Sequence, residues 1–136
     1  MRNKRAAISA VVVGFLAVCV PLFAHHGNAS YDSTKTVTVK GTVTDYIWSN
    51  PHVLLMVDAK DDSGKTLHWI IEAQNPLSQT GVGWSKDTFK RGDEVIVEVI
   101  QAKSGVPVGR FGAAGPGAGL ATQESRIVIN GKQFKP

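Results

Sequence analysis

Two adjacent histidines, His25-His26, follow directly on an uncharged stretch that ends at Ala24, and a third, His52, comes after Asn50-Pro51. A histidine that begins a chain offers one ion two nitrogens, its terminal amine and its own ring, which together form a chelate. If the chain is cut after Ala24, His25 becomes that residue. Its amine and ring, with His26 and His52 as further imidazoles, would make a nitrogen-rich set of the kind that suits copper(II). An amine with a pKa of about 8 must lose its proton to bind, so affinity would fall as pH drops through that range. Against this stands a plainer reading, a solvated pair on a polar arm, because two adjacent histidines are a weak motif. For His52 the competing reading is a strand-start residue hydrogen-bonded to backbone.

Other chemistries find less. Cys19 lies inside the apolar stretch, so a chain cut after Ala24 has no thiol and no disulfide, and no serine sits on a recognisable nucleophile elbow. Gly115 to Gly119 has the composition of a phosphate loop without the parallel strand and helix that would aim N–H groups at a phosphate. Of Trp48, Trp69 and Trp84, only Trp48 falls in a phase that leaves it open to a ligand, with Asn50 beside it. The Asn28-Ala29-Ser30 match to a glycosylation acceptor is short and carries little weight.

The apolar stretch itself has the form of an export signal. Arg2, Lys4 and Arg5 precede an uncharged run from Ala6 to Ala24, with Pro21 near its end and Ala24 at the expected cut. The run approaches the roughly 20 residues that span a bilayer, so an uncleaved anchor competes with cleavage. Of the 15 Lys+Arg, those three would leave with the leader, and the cations that remain nearly balance the 11 Asp+Glu. A nearly neutral mature chain lacks the basic footprint of a nucleic-acid binder, and its length allows one core rather than a two-domain enzyme. The expected compartment is the periplasm.

These candidates must be positioned by strands. Residues 25–35 are polar and aperiodic and read as an N-terminal arm, leaving 36–136 as the domain. Thr36 to Trp48 alternates, with Val37, Val39, Val43, Asp45 and Ile47 in the inward phase and Gly41 marking a bend or bulge. Asp45 is the one inward carboxyl; a bulge after Gly41 would turn it out. His52 to Ala59 is a second strand and Lys65 to Ala73 a third, joined through Asp62-Ser63-Gly64 in the composition of a three-residue hairpin loop. Setting Asp61 against Lys65 brings Val57 opposite Trp69 and Leu55 opposite Ile71, an apolar match that supports the register. His52 then lies opposite Gln74 and diagonal to Glu72, a separation of about 7 to 8 Å that lets Glu72 back the imidazole. His68 lies opposite Asp58, about 20 Å along the hairpin from His52, so the two cannot share an ion; a surface pair with Asp58 is the favoured reading.

Asn75-Pro76 opens a short helix that Gly81 ends. Trp84 and Phe89 plug the barrel floor, Glu94 to Ala102 is a fourth strand, Lys103 to Ala121 a Gly-rich loop, and Ser125 to Ile129 a fifth strand. Five strands with a helical connection between the third and fourth predict an all-β, OB-like antiparallel barrel; another small antiparallel barrel or sandwich shares the same order along the chain.

His25-His26 after a leader, Tyr31-Asp32, Lys40-Gly41-Thr42-Val43, Trp48, Asn50-Pro51-His52, Asp61 to Gly64, Trp69 with Glu72, Gly83-Trp84-Ser85 and Lys90 to Asp93 resemble a family of small secreted bacterial proteins of uncharacterised function. The likeness spans residues 25 to 102 and implies an exported barrel-like domain in a Gram-negative periplasm. Carried over, its marked residues are His25, His26, Trp48, Asn50, His52, Trp69 and Glu72. The stretch from Phe111 to Leu120 departs from it, relatives being shorter there. A looser similarity to periplasmic OB-fold proteins supports the fold. The resulting expectation is a binding module for a copper-type ion held by His25, His26 and His52 with Glu72 behind. Its rivals are a metal-free envelope module binding a small molecule or protein near Trp48, and a copper redox enzyme on the same amino-terminal site.

Overall fold

A computed structural model of the chain describes residues 30–112 and 127–135. The expected leader, residues 1–24, the pair His25-His26, the residues next to it and the stretch 113–126 fall outside the described residues.

Among the described residues, alternating apolar positions build seven strands, with one helix: β1 (Tyr31–Ile47), β2 (Leu54–Lys60), β3 (Thr66–Glu72), α1 (Pro76–Thr80), β4 (Glu94–Ala102), β5 (Val108–Phe111), β6 (Ile127–Ile129) and β7 (Lys132–Gln133). β1 is long enough to serve two partners. Its first half pairs antiparallel with β4 and its second half with β2; β2 pairs with β3, β3 runs parallel to β5, and β5 pairs with β4. The ring β1-β2-β3-β5-β4 therefore closes, with α1 between the third and fourth strands, which is the order of an OB-type barrel. Val39, Val43, Leu55, Val57, Trp69, Ile71, Val95, Val97 and Val99 fill it. Its aromatic end holds Trp84 edge-on to Phe89 and Phe111, with ring centroids 5.3 and 4.9 Å apart.

Gly41 stands where β1 is flanked on both sides, paired with Ala59 and with Val95. A Cβ there would fall on the Asp58 carbonyl and within 2.9 Å of the Val57 side chain, so close approach is what requires glycine. The bulge lies further on, between Val43 and Asp45. It reverses the phase: Tyr46 turns toward the core opposite Leu55, and Asp45 and Ile47 turn outward. Freed of the core, Asp45 takes an ion pair with Arg91 at 2.9 Å and accepts the Tyr46 amide at 2.8 Å.

The β2–β3 hairpin has the expected register, Val57 against Trp69 and Leu55 against Ile71, closed by Gly64 at φ 82°. Asn75 caps α1 by accepting from the Ser78 amide at 2.9 Å. Gly81 ends it in the right-handed region, and the left-handed glycine is Gly83.

Two element boundaries differ from expectation. Residues 31–35, read from sequence as part of an arm, belong to β1: Tyr31 pairs with Ala102, after which β1 carries extra residues before Thr36 pairs with Ile100. The barrel's fifth strand is not Ser125–Ile129 but Val108–Phe111, inside the Gly-rich stretch expected as loop. Val99 faces Phe111 and Val97 faces Ile127 on the same edge of β4, so β6 continues the line of β5. Joining Gly112 directly to Ile127 would preserve that register. A chain lacking residues 113–126 is therefore expected to melt cooperatively within about 5 °C of the parent, since altering loop length costs only about 0.6 kcal/mol per doubling. Loss of the thermal transition would contradict the reading of β5 and β6 as one interrupted strand.

Candidate functional site

Three strands bring one histidine, one carboxylate and one phenol together on the outer barrel face. β2 is extended backward by the backbone pair Val53 and Ala73, 2.8 Å from Ala73 N to Val53 O, which holds His52 at the mouth of the hairpin. Its Nδ1 lies 3.1 Å from Glu72 Oε1 and 3.2 Å from the Ala73 carbonyl oxygen. Both partners are acceptors, so a proton is assigned to Nδ1. The side chain is 46% exposed, and Nε2 has no partner among the described residues.

Glu72 ends β3 and its other oxygen, Oε2, accepts from the Tyr31 hydroxyl at 3.3 Å. Tyr31 is only 4% exposed although it lies at the start of β1 on the outer face. The Arg110 guanidinium, opposite Glu72 on the parallel β3–β5 ladder, stands 5.4 Å over its ring. Burial raises the phenol above its ordinary pKa, the Glu72 charge adds to the effect, and Arg110 opposes it. Tyr31 therefore stays a hydroxyl donor at neutral pH. Tyr31 thus donates to Glu72, the His52 ring lies against the same carboxylate while hydrogen-bonded to the Ala73 carbonyl, and its second ring nitrogen has no partner among the described residues. Such a histidine, braced by a carboxylate and a carbonyl through its other nitrogen, is equipped to bind a metal ion or accept a proton.

The expected diagonal relation of His52 to Glu72 is thus a direct contact. Tyr31 is a site residue that periodicity did not single out; the only sign was its place in the Tyr31-Asp32 pair. His68 meets Asp58, Nδ1 to Oδ1 2.6 Å, as an exposed pair away from the site. Trp48 is half-buried with its ring 6.1 Å from Tyr46, Asn50 is exposed in the turn before His52, and Trp69 is in the core. His25 and His26 precede the described residues. Among the described residues no three His, Cys, Asp or Glu side chains gather in a way that could hold a metal ion. Beside Tyr31 lies an open groove of about 290 Å³ lined by Ser30, Tyr31, Ala102, Ser104, Val106 and Val108.

No curated protein matches the chain. A solved structure of a mitochondrial single-stranded DNA binding protein of S. cerevisiae, Rim1, is similar at 11% identity and a TM-score of 0.46, covering 71% of this chain and 93% of that one. The family model that matches spans residues 12–111, ending where β5 ends, and the chain belongs to that family, a family of unknown function (DUF6152).

Proposed function

We propose that this OB-fold chain is an exported, periplasmic binding module, freed of its leader by cleavage after Ala24, that holds a copper(II)-type ion. In this reading His25 supplies amine and ring, His26 and His52 supply further imidazoles, and Glu72 fixes the orientation of His52. The observation that carries it is the His52 ring itself: Nδ1 faces Glu72 and Ala73 at 3.1 and 3.2 Å, which leaves Nε2 as the ring nitrogen open to an ion. Reach supports it as well. The chain from His26 to Tyr31 spans up to about 17 Å when extended. Tyr31 itself is linked to His52 through the single carboxylate of Glu72.

The groove beside Tyr31 favours a second reading, a metal-free module that takes a small apolar molecule or a protein partner on the outer face, where Ile70 and Val106 are exposed. Nucleic acid fits that face less well. The outward positions of β2 and β3 are Leu54, Met56, Asp58, Lys60, Thr66, His68, Ile70 and Glu72, with no Phe, Tyr or Trp and one lysine against two carboxylates, so they form neither a stacking platform nor a cationic groove.

Titrating the chain that begins at His25 with copper(II), against a competing chelator, separates the two. Uptake of one equivalent is expected, with affinity falling as pH drops below about 8. No uptake above that of a chain lacking residues 25–29 would overturn the copper reading and leave the second.

A further inference from the structure

The turn that joins β6 to β7 does more than reverse the chain. Val128 and Ile129 pair with Gln133 and Lys132, leaving Asn130-Gly131 as a two-residue loop with φ of 50° and 77°, the left-handed pair that so tight a hairpin demands. Aspartate or glycine would close such a loop as well; the asparagine also docks it. Its backbone N–H donates to the Glu94 carbonyl at 2.8 Å, its Oδ1 accepts from the Glu94 amide at 2.9 Å, and its Nδ2 donates to Asp93 Oδ1 at 2.8 Å. The other Asp93 oxygen accepts from the Lys90 amide at 2.8 Å, so one carboxylate links two turns. Thus latched, the hairpin lies along the start of β4, with Ile127 fully buried and Phe134 packed on Trp84, ring centroids 6.3 Å apart. The latch itself faces solvent. Asn130 and Gly131 are both exposed, and nothing lies within 4 Å of where a Gly131 Cβ would stand.

We propose that Asn130 is a modification site, at which spontaneous deamidation unlatches the C-terminal hairpin from β4. An asparagine followed by glycine is the pairing most open to this chemistry, because glycine puts no side chain in the way of its own amide. The Gly131 nitrogen attacks Asn130 Cγ, its proton leaves with the side-chain nitrogen as ammonia, and a succinimide ring forms. Water then adds to one of the two ring carbonyls and breaks that carbon's bond to nitrogen, giving aspartate or isoaspartate at position 130. Two hydrogen bonds fix the side-chain amide in the folded turn, and the attack needs it free to rotate, so the reaction proceeds from an opened latch. Its product cannot re-form the latch. Where Nδ2 donated, a carboxylate oxygen would face Asp93 Oδ1, two like charges in place of a donor and an acceptor. Isoaspartate also lengthens the backbone of a loop built for two residues. The step is therefore one-way, and the attachment of the hairpin is lost in proportion to how often the latch opens.

Ageing the full chain in mildly alkaline buffer, with peptide mass mapping of residues 127–132 for the replacement of NH2 by OH, reads the reaction. Conversion at Asn130 is expected to run about tenfold faster in Asp93→Ala, the factor that one hydrogen bond to a charged group contributes to an opening equilibrium. It is expected to be faster still when the parent chain is unfolded in urea, an arm that needs no variant. Thermal melts check that Asp93→Ala holds the barrel. Asn130→Asp makes the aspartate product directly. In that variant amide hydrogen exchange at Ile127, Val128 and Ile129 is expected to rise about tenfold, with the β2–β3 hairpin unchanged. Equal conversion in the folded parent and in the parent in urea, equal conversion in the parent and Asp93→Ala, or β6 exchange unmoved by Asn130→Asp would each overturn the proposal.

Discussion

Gly41→Ala is expected to destabilise the barrel by about 3–5 kcal/mol and to lower the melting temperature by more than about 10 °C. The added methyl has no room on either side. β1 is hydrogen-bonded to β2 and β4 at that residue, and the new carbon would overlap the carbonyl of Asp58 as well as crowd the Val57 side chain. A flexible side chain could swing away at modest cost; a backbone carbonyl inside a ladder cannot. Relief means separating β1 from β2 beside Val43 and Val57, both buried, which opens the core to water. Gly64→Ala is the internal comparison. Gly64 has a φ of 82° and no atom within 4 Å of an added Cβ. It loses only the conformational term of about 1–2 kcal/mol. Urea or thermal melts of the two variants should rank them in that order. A Gly41→Ala protein as stable as the Gly64→Ala protein would contradict the shared position of β1 in the barrel.

Acetylating the amine of the chain that begins at His25 is expected to weaken copper(II) binding on the order of a hundredfold. The terminal amine and the ring of His25 close one chelate on one residue, so the second nitrogen binds without a further loss of translational freedom. Acetylation converts that amine into an amide, which has no basic lone pair, and supplies no new amine from which another chelate could start. His26 and His52 remain, but as separate donors. The pH profile should change with it. The parent's affinity should fall from about pH 8 downward as the amine takes up its proton, and the acetylated chain should lose that step. Isothermal titration at several pH values reads both effects. Equal affinities and equal profiles would remove the amine from the site.

How far the sequence reached follows from where local chemistry decides structure. The β2–β3 hairpin was legible because Asp61 to Gly64 specifies its turn and a one-residue slip would expose Trp69 and Ile71, which are buried. The same register placed His52 beside Glu72. The strand Val108–Phe111 was hidden because Gly109 packs where a Cβ would come within 2.9 Å of Val99, so a tight contact removed the side chain that periodicity needs. The phase of Tyr46 and Ile47 was misread because a bulge at Thr44 leaves no mark in composition. Tyr31 was missed for a third reason. Its role depends on Glu72 and Arg110, partners far along the chain, and no pattern in the polar stretch around it announces a contact across two strands.

Copper(II) bound one-to-one to the chain beginning at His25 offers the most direct check, by electron paramagnetic resonance at neutral pH beside the His52→Ala variant. A nitrogen-rich spectrum that loses one nitrogen's hyperfine contribution in the variant is the expected result, since the arm and the barrel would then share the ion. Identical spectra from the two chains would show that His52 takes no part, and the single metal centre built from arm and barrel would be wrong.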